Sequence, residues 1–302
     1  MPVLIQDNTQ KHNNPDHDAS VSTRLPTAQP GASGLYPDKV HPDHLTPSQL
    51  QKAAPKNTPP GLTSGIRISQ PVAGADKPER GRIQALFNDV YWVAGDQPGQ
   101  RGARQPNMII IRDGHQLILI NPVRLSPLQE RNLEHLGRIA HIVRLGDRPS
   151  ADEHHYRTRY RPKLWAFPGQ IDKPRHQILK EDAFLPVPGA QLVKFHYTCR
   201  SEAVLLLERH GLLLTSESFQ FLGCWPQLTL REQLTMRLQG FHKGMNLSRH
   251  WLREVTPKDF SLADDLSRLR QLDFDSLLAA HGTPLLQGAK RAVDEEIQQV
   301  FH

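Results

Sequence analysis

Histidine, cysteine, acidic and arginine side chains are spread unevenly along this chain, and their spacing limits the chemistry open to them. His41-Pro42-Asp43-His44 has the donor types of half a metal motif. It sits among Pro, Ser, Gln and Lys with no strand or helix pattern to hold it, and metal ligands need rigid neighbours, so it reads as a decoy. Cys199 and Cys224 are the only cysteines and lack CxxC spacing, so both read as reduced thiols in packing roles. From Arg101 to Lys163 there are 12 basic and 6 acidic residues, an excess equal to the net charge of +6 of the whole chain. Such a segment offers a surface to a polyanion. No aromatic stacking platform is interleaved with its arginines, however, so a solvated face with packed arginine stems is favoured over nucleic-acid binding.

Side chains that do chemistry need ordered elements behind them, and composition says where those begin. Of the 25 prolines, 12 lie in residues 1–80, whereas of 4 Trp, 5 Tyr and 10 Phe only Tyr36 does. A chain of that kind cannot bury enough apolar surface to offset its ordering entropy. Residues 1–78 are therefore expected to be a disordered tail, and residues 79–302 one domain of ordinary size. No apolar run approaches the ~20 residues needed to cross a bilayer, and Met1–Asn14 lacks the features of a secretory signal. The expectation is a soluble, cytoplasmic protein with no membrane partner.

Order should begin near Ile83. Val90-Tyr91-Trp92-Val93 reads as a strand, and Asn107–Arg112 with His115–Asn121 as a hairpin turning at Asp113-Gly114. Ser126-Pro127-Leu128-Gln129 supplies an N-cap, a proline at N1 and a glutamine at N3, opening a helix with Leu128, Leu133 and Leu136 near one face and a stop at Gly137. Ile139–Val143 reads as a buried strand, and Ser150-Ala151-Asp152-Glu153 as a second capping box starting a helix that carries His154, His155 and Tyr156. Lys163–Ala166, Gln191–Phe195, Ala203–Glu208 and Leu212–Thr215 follow as strands, with a turn at Arg209-His210-Gly211. Residues 226–252 and 259–280 read as mainly helical, and Gly288–Phe301 as a terminal amphipathic helix. The alternation predicts αβ layering with partly parallel pairing. Trp165 and Trp225 read as packing residues.

In this order Val90–Val93, the hairpin Asn107–Asn121, Ala203-Val-Leu-Leu-Leu207 before Gly211-Leu-Leu-Leu-Thr-Ser-Glu-Ser218, and Ala280-His281-Gly282-Thr283-Pro284 resemble landmarks of the metallo-β-lactamase superfamily. The resemblance spans roughly residues 83–300 and implies a four-layer αβ/βα sandwich, preceded here by the tail. It also implies loops along one edge that gather His and Asp ligands for one or two metal ions. A divalent ion lowers the pKa of bound water toward ~7 and stabilises the oxyanion formed in hydrolysis.

The implied ligands carry over unevenly. The family signature His-x-His-x-Asp-His should follow the strand ending at Val143, where this chain reads Arg144-Leu-Gly-Asp-Arg-Pro-Ser-Ala-Asp-Glu-His-His155. With an insertion, Asp152 and either His154 or His155 are the candidate replacements, since neighbouring helical residues point ~100° apart, and Asp147 lies nearby. A further family histidine aligns with Thr198, and His196 lies two residues upstream, displaced by about 6.6–6.8 Å along a strand. The bridging aspartate aligns with Glu217 and the last histidine with His281. His196 and Arg200 border the implied cleft as candidates for holding substrate.

Three functions follow from the resemblance. One is a hydrolase with a rebuilt site for one divalent metal (zinc, iron or manganese), made from Asp152, His154 or His155, Glu217 and His281, with an unidentified small-molecule substrate. Another is a metal-free, non-catalytic member that binds a small molecule or a protein. The third is a nucleic-acid-associated member. The hydrolase-like reading ranks first, and oligomeric state is not readable from the sequence.

Overall fold

The computed structural model describes residues 79–95, 104–168, 176–258 and 261–301. The expected tail and the His41–His44 motif lie outside the described residues. Strands β1 (Gln84–Phe87), β2 (Val90–Ala94), β3 (Asn107–Asp113) and β4 (Gln116–Ile120) form an antiparallel meander. Asp113 pairs with Gln116, so the hairpin turn is Gly114-His115, one residue later than expected, with Gly114 at φ 56°. Parallel strands β5 (Arg138–Val143), β6 (Lys163–Ala166) and β7 (His176–Ile178) complete a seven-stranded sheet in chain order.

Parallel neighbours need a crossover, and helices supply the first two. Helix α1 (Pro127–Leu136) joins β4 to β5, and α2 (Glu153–Tyr160) joins β5 to β6. Ser126 caps α1 by accepting from the Gln129 amide, as expected. Leu128 does not join the buried face: it is 58% exposed, and Glu130 is buried with Leu133 and Leu136 instead. The second capping box does not form. The Ser150 hydroxyl donates to the Pro122 carbonyl, and the N-cap of α2 is Asp152, whose side chain makes no capping bond.

A second sheet runs in the order β13-β10-β9-β8, with β8 (Ala190–Lys194), β9 (Ala203–Leu207), β10 (Leu212–Thr215) and β13 (Ser276–Ala279). Strand β13 lies parallel to β10, and the other pairs are antiparallel. A ribbon of β11 (Phe219–Leu222) and β12 (Gly244–Leu247) adjoins it. Three short helices follow, α3 (Leu230–Leu238), α4 (Arg249–Val255) and α5 (Ala263–Arg270), and α6 (Ala289–Phe301) is the last. The helical spans expected over 226–252 and 259–280 are thus corrected, since each contains a strand whose ladder partners lie far away in sequence.

Strand alternation sorts the core into layers. Ile109 and Ile111 of β3 pack with Ile118, Trp165, Leu205, Leu214 and Leu278 in a cluster that draws on both sheets. Met108 and Ile110, on the opposite face of β3, pack with Leu133, Leu136 and Tyr156 of α1 and α2. The outer face of the second sheet, through Val204, Leu206 and Leu213, is covered by Trp251, Leu266, Leu269, Val293 and Ile297 of α4, α5 and α6. The result is helix, sheet, sheet, helix, as the resemblance implied. No helix among the described residues is long and apolar enough to cross a membrane.

Candidate functional site

Because β4 and β5 run parallel, the loops after them emerge at the same end of the sheet. Asn121 and Pro122 follow β4, and Gly146 to Ser150 follow β5. Facing them are the β8–β9 loop with Arg200, Ser201 and Glu202, the turn after β10 with Ser216 and Glu217, the start of α4, and His281 after β13. Together they line a cleft of about 400 Å³.

On one wall Glu217 and His281 meet. His281 Nε2 lies 3.1 Å from Glu217 Oε1, while Arg104 donates from Nη2 to Oε2 at 3.4 Å. Arg104 is held by a second bond from Nε to Gln220 Oε1 at 3.0 Å and by the Phe241 ring beneath it. Burial alone would raise the Glu217 carboxyl, but the His281 hydrogen bond and the charges of His281, Arg104 and Arg148 outweigh it and hold the group below its usual value. Gly282 permits the tight turn after His281: it has φ 92°, and a Cβ there would lie 2.4 Å from the Phe221 carbonyl oxygen. His281 Nδ1 is buried with no hydrogen-bond partner among the described residues. The ring thus turns Nε2 to Glu217 and leaves Nδ1 buried.

The opposite wall is a chain of ion pairs centred on Glu254. Its Oε2 accepts from Arg200 at 2.6 Å and lies 3.7 Å from Arg148, while Oε1 lies 3.0 Å from His250. Arg200 also lies 3.8 Å from Asp147. Beneath the cleft, Arg144 and Glu153 form a pair only 9% and 2% exposed, closed at 2.6 Å.

Glu202 ties the walls together. Its Oε1 accepts from the backbone amides of Glu217 (3.1 Å) and Ser218 (2.9 Å), and its Oε2 from the Trp251 indole (2.6 Å). Burial pushes this carboxyl up to about 7, against the lowering effect of the Ser218 and Trp251 hydrogen bonds.

Glu217 and His281, alone among the sequence candidates for metal ligation, come into contact with one another. Asp152 accepts from the Arg124 amide at 2.8 Å. His155 points to α1, where Nε2 lies 2.7 Å from Glu130, because the apolar face of α2 must turn Tyr156 into the core. His154 is exposed, with Nε2 3.4 Å from the Thr158 hydroxyl. His196 lies 2.6 Å from Glu181, which also bonds Arg268, and does not line the cleft. Arg200 does line it, paired with Glu254 rather than with its neighbour Glu202. Sequence reasoning passed over Arg104, Glu254 and the structural role of Glu202. An acid directly before the wholly apolar Ala203–Leu207 was the signal available for the last of these.

A catalytic zinc site takes three protein ligands. Among the described residues no three His, Cys, Asp or Glu side chains converge to hold a metal ion, and an arginine shares the carboxylate of the one surviving His–Glu pair. The donor set does not fit the metal centre that the resemblance implied.

No protein-family model matches the sequence, and no curated protein does. Solved structures do match. A β-lactamase domain protein from Burkholderia ambifaria is 13% identical over 74% of this chain and 77% of its own, with a TM-score of 0.51. A metallo-β-lactamase from Pseudomonas aeruginosa in its mono-zinc form is 12% identical over 75% of this chain and 99% of its own, with a TM-score of 0.49. At these identities the likeness is one of fold alone. The facing mixed sheets, their helical outer layers and the Burkholderia likeness together give this chain the metallo-β-lactamase fold.

Proposed function

We propose that the cleft binds a small polar molecule without a metal ion, making the protein a non-catalytic member of its fold. The observation that supports this is Arg104 on Glu217. A guanidinium supplies the positive charge a divalent ion would otherwise bring to that carboxylate, and with His281 it leaves a two-ligand set where three are needed. The cleft, at about 400 Å³, falls within the range of roughly 300–1,000 Å³ typical of small-molecule sites. Arg148 and Arg200 reach the acceptors of a ligand, and Glu254 its donors.

Elemental analysis of protein purified without added ions tests the reading. The expected content of zinc, iron and manganese is far below one ion per chain, and added zinc should leave the melting temperature unchanged. A stoichiometric metal that is lost in His281→Ala would overturn the proposal and restore the rebuilt hydrolase site.

A further inference from the structure

A second pocket, of about 380 Å³, lies against the seven-stranded sheet away from the cleft. It is lined by Gln116, Arg138, His141, Arg161, Lys163 and Gln177, with Ala140 at its base. Gln116, Arg138 and Lys163 are the first residues of β4, β5 and β6. Since those strands are parallel, the pocket sits at their N-terminal ends and the cleft at their C-terminal ends.

The ladder brings these groups together. Gln116 pairs with Arg138 across β4–β5, and His141 with Lys163 across β5–β6, on strands spaced ~4.8 Å apart. Arg161 closes the rim from the C-cap of α2, where it adopts the left-handed conformation with φ 51° and ψ 44°. That conformation ends the helix in a left-handed cap and turns the chain toward β6. Among the described residues no acid lines the pocket, and Arg138, Arg161 and Lys163 have no ion-pair partner.

His141 adds a directed donor. The Trp165 indole, which can only donate, bonds His141 Nδ1 at 3.0 Å, so Nδ1 is an acceptor and Nε2 carries the ring proton. Burial, followed by the charges of Lys163 and Arg138, lowers the His141 pKa and keeps the ring neutral.

We infer that this pocket binds a single phosphoryl group of a soluble phosphate or phosphate ester. Two guanidinium forks and an ammonium match a multi-oxygen anion, the His141 Nε2–H supplies a fixed donor, and Gln116 and Gln177 complete the lining without adding negative charge.

Calorimetric titration of the full chain with inorganic phosphate and with pyrophosphate tests this, at constant ionic strength. Saturable binding is expected, with Kd raised on the order of tenfold in Arg138→Gln and in Lys163→Gln, both exposed positions whose melting temperatures should match the wild type. Unchanged Kd in both variants, or no saturation up to about 10 mM, would overturn the site. A single-stranded oligonucleotide that displaces phosphate with a salt dependence of several released ions would also overturn it, making the face a polyanion track.

Discussion

The two ends of the seven-stranded sheet treat charge in opposite ways. At the C-terminal end every described arginine that reaches the cleft meets an acid: Arg104 with Glu217, Arg148 with Glu254, and Arg200 with Glu254 and Asp147. At the N-terminal end Arg138, Arg161 and Lys163 share a pocket with glutamines and a neutral histidine. The basic excess of the segment from Arg101 to Lys163 is therefore not a uniform property of its surface. Where cations are neutralised they shape a cleft, and where they are left uncompensated they define a preference for an anion.

The largest expected effect lies beneath the cleft. Glu153→Ala strands Arg144 in a buried position and should cost about 3–5 kcal/mol, measured by denaturant unfolding. Arg138→Gln, at the other end, should stay within about 0.5 kcal/mol of wild type. Equal losses at the two sites would break the contrast.

Glu202 comes next. Its native pKa of about 7 lies above the ordinary glutamate value of 4.5, so the folded chain holds this proton more tightly than the unfolded one does. The stabilisation is fully present below pH 4.5 and is lost as pH rises through 7, amounting to about 3 kcal/mol for a shift of this size. Unfolding free energies at pH 5 and pH 8 should show that loss, and Glu202→Gln should flatten the profile.

The smallest effect separates stability from binding at one residue. Arg161→Gly relieves a left-handed backbone position and should stabilise the fold by about 0.5–1 kcal/mol while weakening phosphate binding. If stability and binding fall together, the arginine is serving the fold rather than a ligand.

Much of this architecture could be read from local pattern. Strand β6 falls at Lys163–Ala166 as expected, and the cap and N1 proline of α1 lie where Ser126 and Pro127 place them. What escaped was set at long range. Met245, Asn246 and Leu247 form a strand because Phe219–Leu222 lies beside them, and nothing within residues 226–252 announces that partner. The cleft divides in the same way. Glu217 and His281 were found through motifs in sequence order, whereas Arg104, which reaches Glu217 across 113 residues, carries no local signature. His155 was misplaced because the adjacent Tyr156 dictates how α2 rotates, a choice that follows from core packing rather than from the histidines.

Asn107 has a consequence for how the molecule comes into being. From the third strand its amide group donates to the carbonyls of Ala279 and Gly282, and its backbone N–H to that of Ala280. The start of the domain is thereby fastened to a strand made some 172 residues later. During biosynthesis the first sheet can assemble while the chain is still growing, but the His281 wall of the cleft must wait for β13. The cleft is thus completed late, after the pocket at the other end of the sheet, and translation arrested before Ser276 should yield a product that retains the first sheet and lacks the His281 wall.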